Sequence, residues 1–496
     1  MPRRHPLLFQ VNTRVLLGEL GRSLGRPATL DDVTDAFLDE VAGRGFDWFW
    51  PLGVWCTGPA ARAVSLARAD WRDGFRRDLP DLRDDDVTGS PFAIRSYEVK
   101  AEFGGDGGLQ RLRQRLAERG ISLMLDFVPN HMAPDHPWVG EHPEWLIEGT
   151  EQDLAREPQN WFRSEGRVLA HGRDPYFPGW PDTVQLNHGH PGLRAAMIAE
   201  LSRVAARCDG VRCDMAMLIL PDVFARTWGD RARPRDGAPP ARGSFWREAA
   251  AAVRTVHPGF VLMAEVYWDL EWELQQQGFD FTYDKRLYDR LRAGDVAGVR
   301  GHLHADPAFQ DRLARFLENH DEPRAAATFP PDRHRAAAVV TFLAPGLRFF
   351  HEGQMEGRKV HVSMHLGRRP EEPVDAALRD FYRRLLAVLR RPETHQGAWR
   401  LRECRPAWEG NPTSGGFVAM SWEGPSGRLL ACVNLGPTRG QCRVDAAFPG
   451  LAAGRVLLAD LLGEARYERD GGELAGPGLY LDLDAAGHHV FEVRPA

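Results

Sequence analysis

This chain predicts an α/β class fold, a (β/α)8 TIM barrel with a short inserted subdomain and a C-terminal antiparallel β-sandwich domain. Three observations predict it. Short apolar runs alternate with longer amphipathic segments up to about residue 390, the rhythm of parallel strands joined by crossover helices. The runs are nearly continuous in apolar residues, as parallel strands buried on both faces require. After "HQGAWRLREC" the texture changes to short alternating runs broken by Gly, Pro and Asn, the pattern of antiparallel strands and turns.

The elements follow in order. "MPRRHPLLFQVNTRV" opens with two arginines, but Gln10, Asn12 and Arg14 break its apolar stretch, so it reads as a first strand and not a signal peptide. Further strands are expected in "FDWFWPLGVW" from Phe46, "ISLMLDFVPNH" from Ile121, "DGVRCDMAM" from Asp209, "GFVLMAEVYWD" from Gly259, "ARFLENHDEPR" from Ala314 and "GLRFFHEGQ" from Gly346. "GLQRLRQRLAERG" and "HPGLRAAMIAELSRVAARC" between them read as helices, and "FGGDGG" as a turn before the first of these. "GGFVAMSWEG", "GRLLACVNLG", "LYLDLD" and "HHVFEV" supply the late strands. The expected division is a barrel over 1–130 and 190–392, an insertion over 131–189 after the third strand, and a β domain over 393–496.

Composition excludes several classes. The 496 residues carry 63 basic and 69 acidic side chains for a net charge of −6, which leaves no footprint for nucleic acid. No apolar run reaches the roughly 18 residues of a membrane span. The six cysteines form no CxxC pair, which suits a reducing cytoplasm better than a disulfide framework.

The chemistry gathers at strand ends. Asp126 with Asn130 and His131, then Arg212 with Asp214, then Glu265, then Asn319-His320-Asp321 all fall at or near the C-terminal end of an apolar run. In a parallel α/β barrel those ends share one face, where active sites form. Side chains two apart share a strand face, so Arg212 and Asp214 point one way and Val211 and Cys213 the other. A buried charge is costly unless paired or used. Two carboxyl groups at one site suit glycoside cleavage, in which one protonates the leaving oxygen and the other meets the cationic sugar carbon. Asp214, short and beside Arg212, suits the nucleophile; Glu265, after "VLMA", suits the acid in drier surroundings.

These stretches resemble the α-amylase family of retaining glycoside hydrolases and transglycosidases. "DFVPNH", "GVRCD", "AEVYWD" and "ENHDEPR" resemble its four ordered motifs, and "DTVQLNHGHPGLR" resembles the short stretch before the nucleophile strand. The resemblance implies that Asp214 is the nucleophile, Glu265 the acid/base and Asp321 the residue holding the sugar's 2- and 3-hydroxyls. It further implies that His131 and His320 bond sugar hydroxyls and that Arg212 keeps Asp214 ionised. "GSPFAIRSYEVKAEFGG" is similar to the stretch that usually supplies a stacking Tyr, and Phe92 falls nearest that place. Where many starch-cleaving members carry Lys-His after the nucleophile, this chain has Met217 and Leu218. That loss and the short insertion imply a narrow site for a small substrate.

Other residues have plainer readings. Asp126 is expected mainly as strand-end support, with sugar contact as its second role, and Asn130 as a loop anchor more than a metal ligand. Calcium wants six to eight oxygens, and no convincing set is present, so no metal or other cofactor is expected. His136 and His142 lack the acids or cysteines of a metal cluster. "HEGQMEGRKVH" does not satisfy HExxH, although His351, Glu352 or Gln354 has a place near the site. Trp138, Trp145, Trp180 and Trp268 fall in rim loops where sugar faces can pack. The expected protein is therefore a retaining α-glycoside hydrolase for a small α-glucoside or short oligosaccharide, with a carbohydrate as its partner and its oligomeric state unassigned. The alternatives are a transglucosidase, glucanotransferase or sucrose-type enzyme with the same intermediate, then an endo-acting amylase, then a sugar-binding barrel without turnover.

Overall fold

The computed structural model describes residues 3–496. Eight parallel strands close into a barrel: β1 (Leu7–Asn12), β2 (Trp48–Leu52), β3 (Ser122–Phe127), β4 (Gly210–Cys213), β5 (Val261–Ala264), β6 (Phe281–Tyr283), β7 (Leu313–Arg315) and β8 (Leu347–His351). Closure is direct, because β1 pairs in parallel with β2 on one side and β8 on the other. Nearly every residue of these strands is buried, which explains why they read as continuous apolar runs and not as alternating ones. The crossover helices Gly105–Ala117, Pro191–Ala205, Phe245–Val256 and Pro331–Leu343 lie among those around the outside.

One strand had no counterpart in the expected set. β6 has only three residues, "FTY", between helices Glu271–Gln276 and Lys285–Ala293. β7 is equally short but leads into the longer run "ARFLENHDEPR", whereas "FTY" passes almost at once into helix Lys285–Ala293, so no extended run marks it.

Two excursions rise from the C-terminal rim. The one after β3 holds two short antiparallel pairs, His131–Met132 with Val184–Gln185 and Trp161–Ser164 with Arg167–Ala170. The other, after β2, holds the antiparallel pair Trp55–Thr57 and Ile94–Val99 and the helices Pro59–Ala67 and Ala69–Asp78. Phe75 of the second helix and Leu79 just beyond it pack on Val87 and on Leu366 of the segment beyond β8, so this excursion braces the far side of the rim.

The C-terminal domain has nine strands: β9 (Ala398–Arg402), β10 (Cys404–Pro406), β11 (Phe417–Gly424), β12 (Gly427–Asn434), β13 (Gly440–Val444), β14 (Arg455–Asp460), β15 (Arg466–Asp470), β16 (Leu479–Leu483) and β17 (His488–Pro495). They form a six-stranded sheet in the order β9-β11-β12-β17-β14-β15 and a three-stranded sheet β10-β13-β16. Alternation gives the larger sheet two buried faces. Val418, Met420 and Trp422 join the barrel's core, while Phe417 and Ala419 face the core between the two sheets.

Candidate active site

The site begins with β4. Arg212 faces the barrel interior at the level of Asp126 on β3 and is fully buried. The rings of Trp50, Phe92 and Tyr283 surround its guanidinium, with centroids 5.6, 5.1 and 5.7 Å from Cζ. Its donors turn to acids: Nη1 is 2.5 Å from Asp214 Oδ1, and Nη2 is 2.8 Å from Glu265 Oε2 and 3.8 Å from Asp321 Oδ2. One planar fork therefore holds carboxylates from the ends of three strands.

The ends of β4 and β5 are laced together. Met215, directly after Asp214, is in the left-handed region at φ 42°, ψ 45°, and its N–H donates to Glu265 Oε2 at 2.7 Å. Tyr267 O–H donates to the other oxygen, Oε1, at 2.8 Å. His131 Nε2 lies 3.9 Å from Asp214 Oδ2. His320 Nε2 lies 3.1 Å from Asp321 Oδ2, and Nδ1 of the same ring meets the Gln10 amide at 2.9 Å.

One guanidinium cannot neutralise three acids, and burial penalises every charge. Glu265 is pushed up to about 8, first by burial and then by the charges of Asp214 and Asp321, with Arg212 opposing. Burial also raises Asp321. The carboxylates hold Arg212 charged against its own desolvation. Burial holds His131 and His320 below the usual imidazole range, so both rings are neutral near pH 7. At neutral pH the site thus contains a protonated glutamic acid beside an aspartate paired with arginine.

These groups open on a cavity of about 510 Å³ at the C-terminal ends of the strands. Asp214, Glu265, Asp321, His131 and Phe92 line it, together with Trp180. Clefts of about 630 and 580 Å³ elsewhere are lined by outer helices and loops and touch none of the three acids.

Several expected residues stand elsewhere. Asp126 is wholly buried beneath the site, with Oδ1 taken by Trp50 Nε1–H at 2.9 Å and Oδ2 by Gly53 N–H at 2.7 Å. Arg212 and His320 back the site without lining the cavity. Trp268 stands at the rim, edge-on to Tyr176 at 4.9 Å, and also does not line it. Trp138 packs on Trp145, whose ring stacks on His142, and His136 packs on Trp138. Glu352 accepts from Asn12 N–H and pairs with Arg369, and Gln354 donates to Tyr382 O–H, so neither reaches the cavity. His351 is likewise buried and outside it.

Asn130 is engaged by Gln185, whose amide donates to the Asn130 side-chain and main-chain oxygens at 3.0 and 2.9 Å. Among the described residues no group of three or more His, Cys, Asp and Glu side chains is arranged to hold a metal.

The cavity also contains residues given no role from the sequence: Trp71, His365 and Met364, which lie outside the motifs, and Asp182 and Tyr267, which lie within them. Tyr267 lies two residues beyond Glu265 in the loop that follows β5, and its O–H reaches back to that acid. Trp71 and His365 gave no signal, because loop packing alone brings them in.

Fold and site together define a class: a parallel barrel with a buried carboxylate cluster, bridged by arginine, at its C-terminal rim. The chain belongs to the alpha-amylase family, whose catalytic-domain model matches residues 92–372. Alpha-amylase MalA of Haloarcula japonica is 26% identical over 361 residues, which is 71% of this chain and 44% of that protein. An alpha-1,4-glucan:maltose-1-phosphate maltosyltransferase of Rhodospirillum rubrum is 40% identical over 304 residues, covering 60% of this chain and 37% of that enzyme. The chain thus spans about half the length, or less, of the curated relatives it matches. A maltogenic alpha-amylase from Thermotoga neapolitana superposes with a TM-score of 0.68 at 18% identity over 99% of both chains, a likeness of fold.

Proposed function

We propose that this protein is a retaining α-glycoside hydrolase acting on a small α-glucoside or short oligosaccharide. One observation carries the reading: a single guanidinium joins Asp214 and Glu265, and Glu265 is the acid held protonated to about pH 8. Asp214, paired with Arg212, attacks the anomeric carbon while Glu265 protonates the departing oxygen. Glu265 then takes a proton from water, which attacks the glycosyl–Asp214 ester and restores both groups. Asp321 bonds sugar hydroxyls beside the reacting carbon and favours the distorted ring. A cavity of about 510 Å³ lies within the range of small-molecule sites, which supports a short substrate.

Release of nitrophenol from 4-nitrophenyl α-glucoside or α-maltoside tests the activity. Wild type is expected to turn over and Asp214→Asn to lose at least about 10³-fold in kcat. Nuclear magnetic resonance of the first sugar formed should show the α-anomer; initial β-anomer would overturn retention. A panel of sucrose, trehalose, maltose, glucosylglycerol and starch tests the size claim, and fastest release from starch would overturn it. The maltosyltransferase relative supports a second reading, in which a sugar or phosphate acceptor replaces water on the same intermediate. Products larger than the substrate would establish that reading.

A further inference from the structure

The two oxygens of the Glu265 carboxyl stand in different company. Oε2 accepts the Met215 N–H at 2.7 Å and faces the Arg212 guanidinium, with Nη2 2.8 Å away. A proton on Oε2 would meet a main-chain donor and a cation, so the acid's proton has its place on Oε1. Among the described residues one group bonds Oε1, the Tyr267 hydroxyl at 2.8 Å, and that hydroxyl has no other partner. With no second acceptor in reach, the phenol gives its proton to Oε1 and fills one of that oxygen's two positions. The other is left for the acid's proton, at a carboxyl that lines the cavity beside Tyr267.

The loop after β5 aims the phenol. Trp268 and Asp269, which follow it, both adopt left-handed backbone, at φ 65° and 62°. A bulky side chain is strongly disfavoured there and persists only where its surroundings hold it. Here the Asp269 carboxylate pairs with Arg286 of helix Lys285–Ala293, and Trp268 meets Tyr176 edge-on. The chain thus turns directly after Tyr267, and the hydroxyl comes back to the acid two residues before it. Burial, then the neighbouring Glu265, holds the phenol well above its ordinary range, so Tyr267 keeps its own proton. The other titratable groups facing Glu265 are Arg212 and Asp214 from β4, Tyr283 from β6 and Asp321 from the segment after β7. Among the described residues none of these bonds Oε1.

We propose that Tyr267 is a positioning residue for proton transfer: its hydroxyl orients the proton on Glu265 Oε1 and stabilises that oxygen as negative charge develops on it. The inference rests on the hydrolase reading above and deepens it. As the Glu265 O–H bond breaks, the proton goes to the leaving oxygen, which takes the electron pair of the breaking glycosidic bond. The electron pair of the O–H bond stays on Oε1, and the bond from the phenol becomes a charge-assisted one. In the second step the phenol still fills one side of Oε1, and water gives its proton to the other. Tyr267 ends each step with the proton it began with.

Tyr267→Phe removes the hydroxyl and keeps the ring. Wild type and variant are compared on maltose, whose leaving sugar needs the proton, and on α-glucosyl fluoride, whose leaving fluoride does not. For maltose kcat/KM should fall about 10- to 100-fold, the effect of one hydrogen bond to a charged group, and for the fluoride by less than about threefold. The ionised carboxylate loses a donor, so the alkaline fall of kcat/KM for maltose, expected near pH 8, should move up by about one pH unit. Equal losses on the two substrates, or an unmoved alkaline fall, would overturn the proposal and leave the hydrolase reading standing. Infrared titration of the carboxyl band that Glu265→Gln removes provides a readout independent of turnover. Its midpoint should rise by about one pH unit in Tyr267→Phe, and an unchanged midpoint overturns the proposal. Turnover of neither substrate by wild type, with the midpoint shifted as expected, would instead overturn the hydrolase reading and keep Tyr267 as the group that holds the Glu265 proton.

Discussion

At Glu265, what suits the proposed chemistry opposes folding. The unfolded carboxyl titrates near the ordinary glutamate value, whereas the buried one titrates near 8. Between those values the folded state keeps a proton that the unfolded state has released, so stability falls as pH rises through that window. Below it both states are protonated and the penalty vanishes. Glu265→Gln is therefore expected to raise the melting temperature at pH 7–8, by about 1–2 kcal/mol of stability, with a smaller gain at pH 4. Differential scanning calorimetry at the two pH values checks this, and an equal gain at both would refute the linkage. The same proton sets the rate: kcat/KM should fall as pH passes about 8, and the Gln variant should lose 10²- to 10⁴-fold. Asp126 makes the opposite case. Replacing it with Ala orphans the buried Trp50 and Gly53 N–H groups and should cost about 2–4 kcal/mol in denaturant unfolding.

At the scale of elements, the legible features were those with a local period. Alternation along "GVRCD" puts Arg212 and Asp214 on one face, and the structure pairs them. β6 has three residues and passes almost at once into helix Lys285–Ala293, so no longer run marks it. The packing of the helices after β2 has no local signal, because their partner Leu366 lies nearly 300 positions further along the chain. His365 entered the cavity unannounced for the same reason. Turn chemistry is local again. The hairpin Trp161–Ser164/Arg167–Ala170 closes through Glu165 at φ 51° and Gly166 at φ 76°, a two-residue turn with both residues left-handed. Glutamate tolerates that region poorly and asparagine well. Glu165→Asn is expected to stabilise this hairpin by about 0.5–1 kcal/mol, read as slower amide exchange across its four residue pairs with unchanged melting of the barrel.

At the scale of the whole molecule, barrel and C-terminal sheet share one core. Helix Pro331–Leu343 is buried along most of its length, as a helix covered on both sides must be. The larger sheet covers one side of it, and Trp422 is the bolt. Its Nε1–H donates to the Leu343 carbonyl at 2.7 Å, its ring meets His5 edge-on at 5.0 Å, and Arg348 lies 5.7 Å over it. Arg348 in turn donates to the His5, Phe342 and Thr394 carbonyls, tying the start of β8 to the segments that enter and leave the barrel. A sheet with both faces buried cannot separate without exposing apolar surface on the barrel helix. Unfolding should therefore occur in one calorimetric transition, with enthalpy appropriate to the whole chain. Trp422→Ala removes the ring and leaves the Leu343 carbonyl unpaired, and about 3–5 kcal/mol is expected to be lost from that single transition. Two resolved transitions in wild type, with the variant lowering only one, would show instead that the sheet is an independent appendage. The cavity, which lies at the opposite end of the barrel from His5, should keep its substrate preference in the folded variant below its melting range.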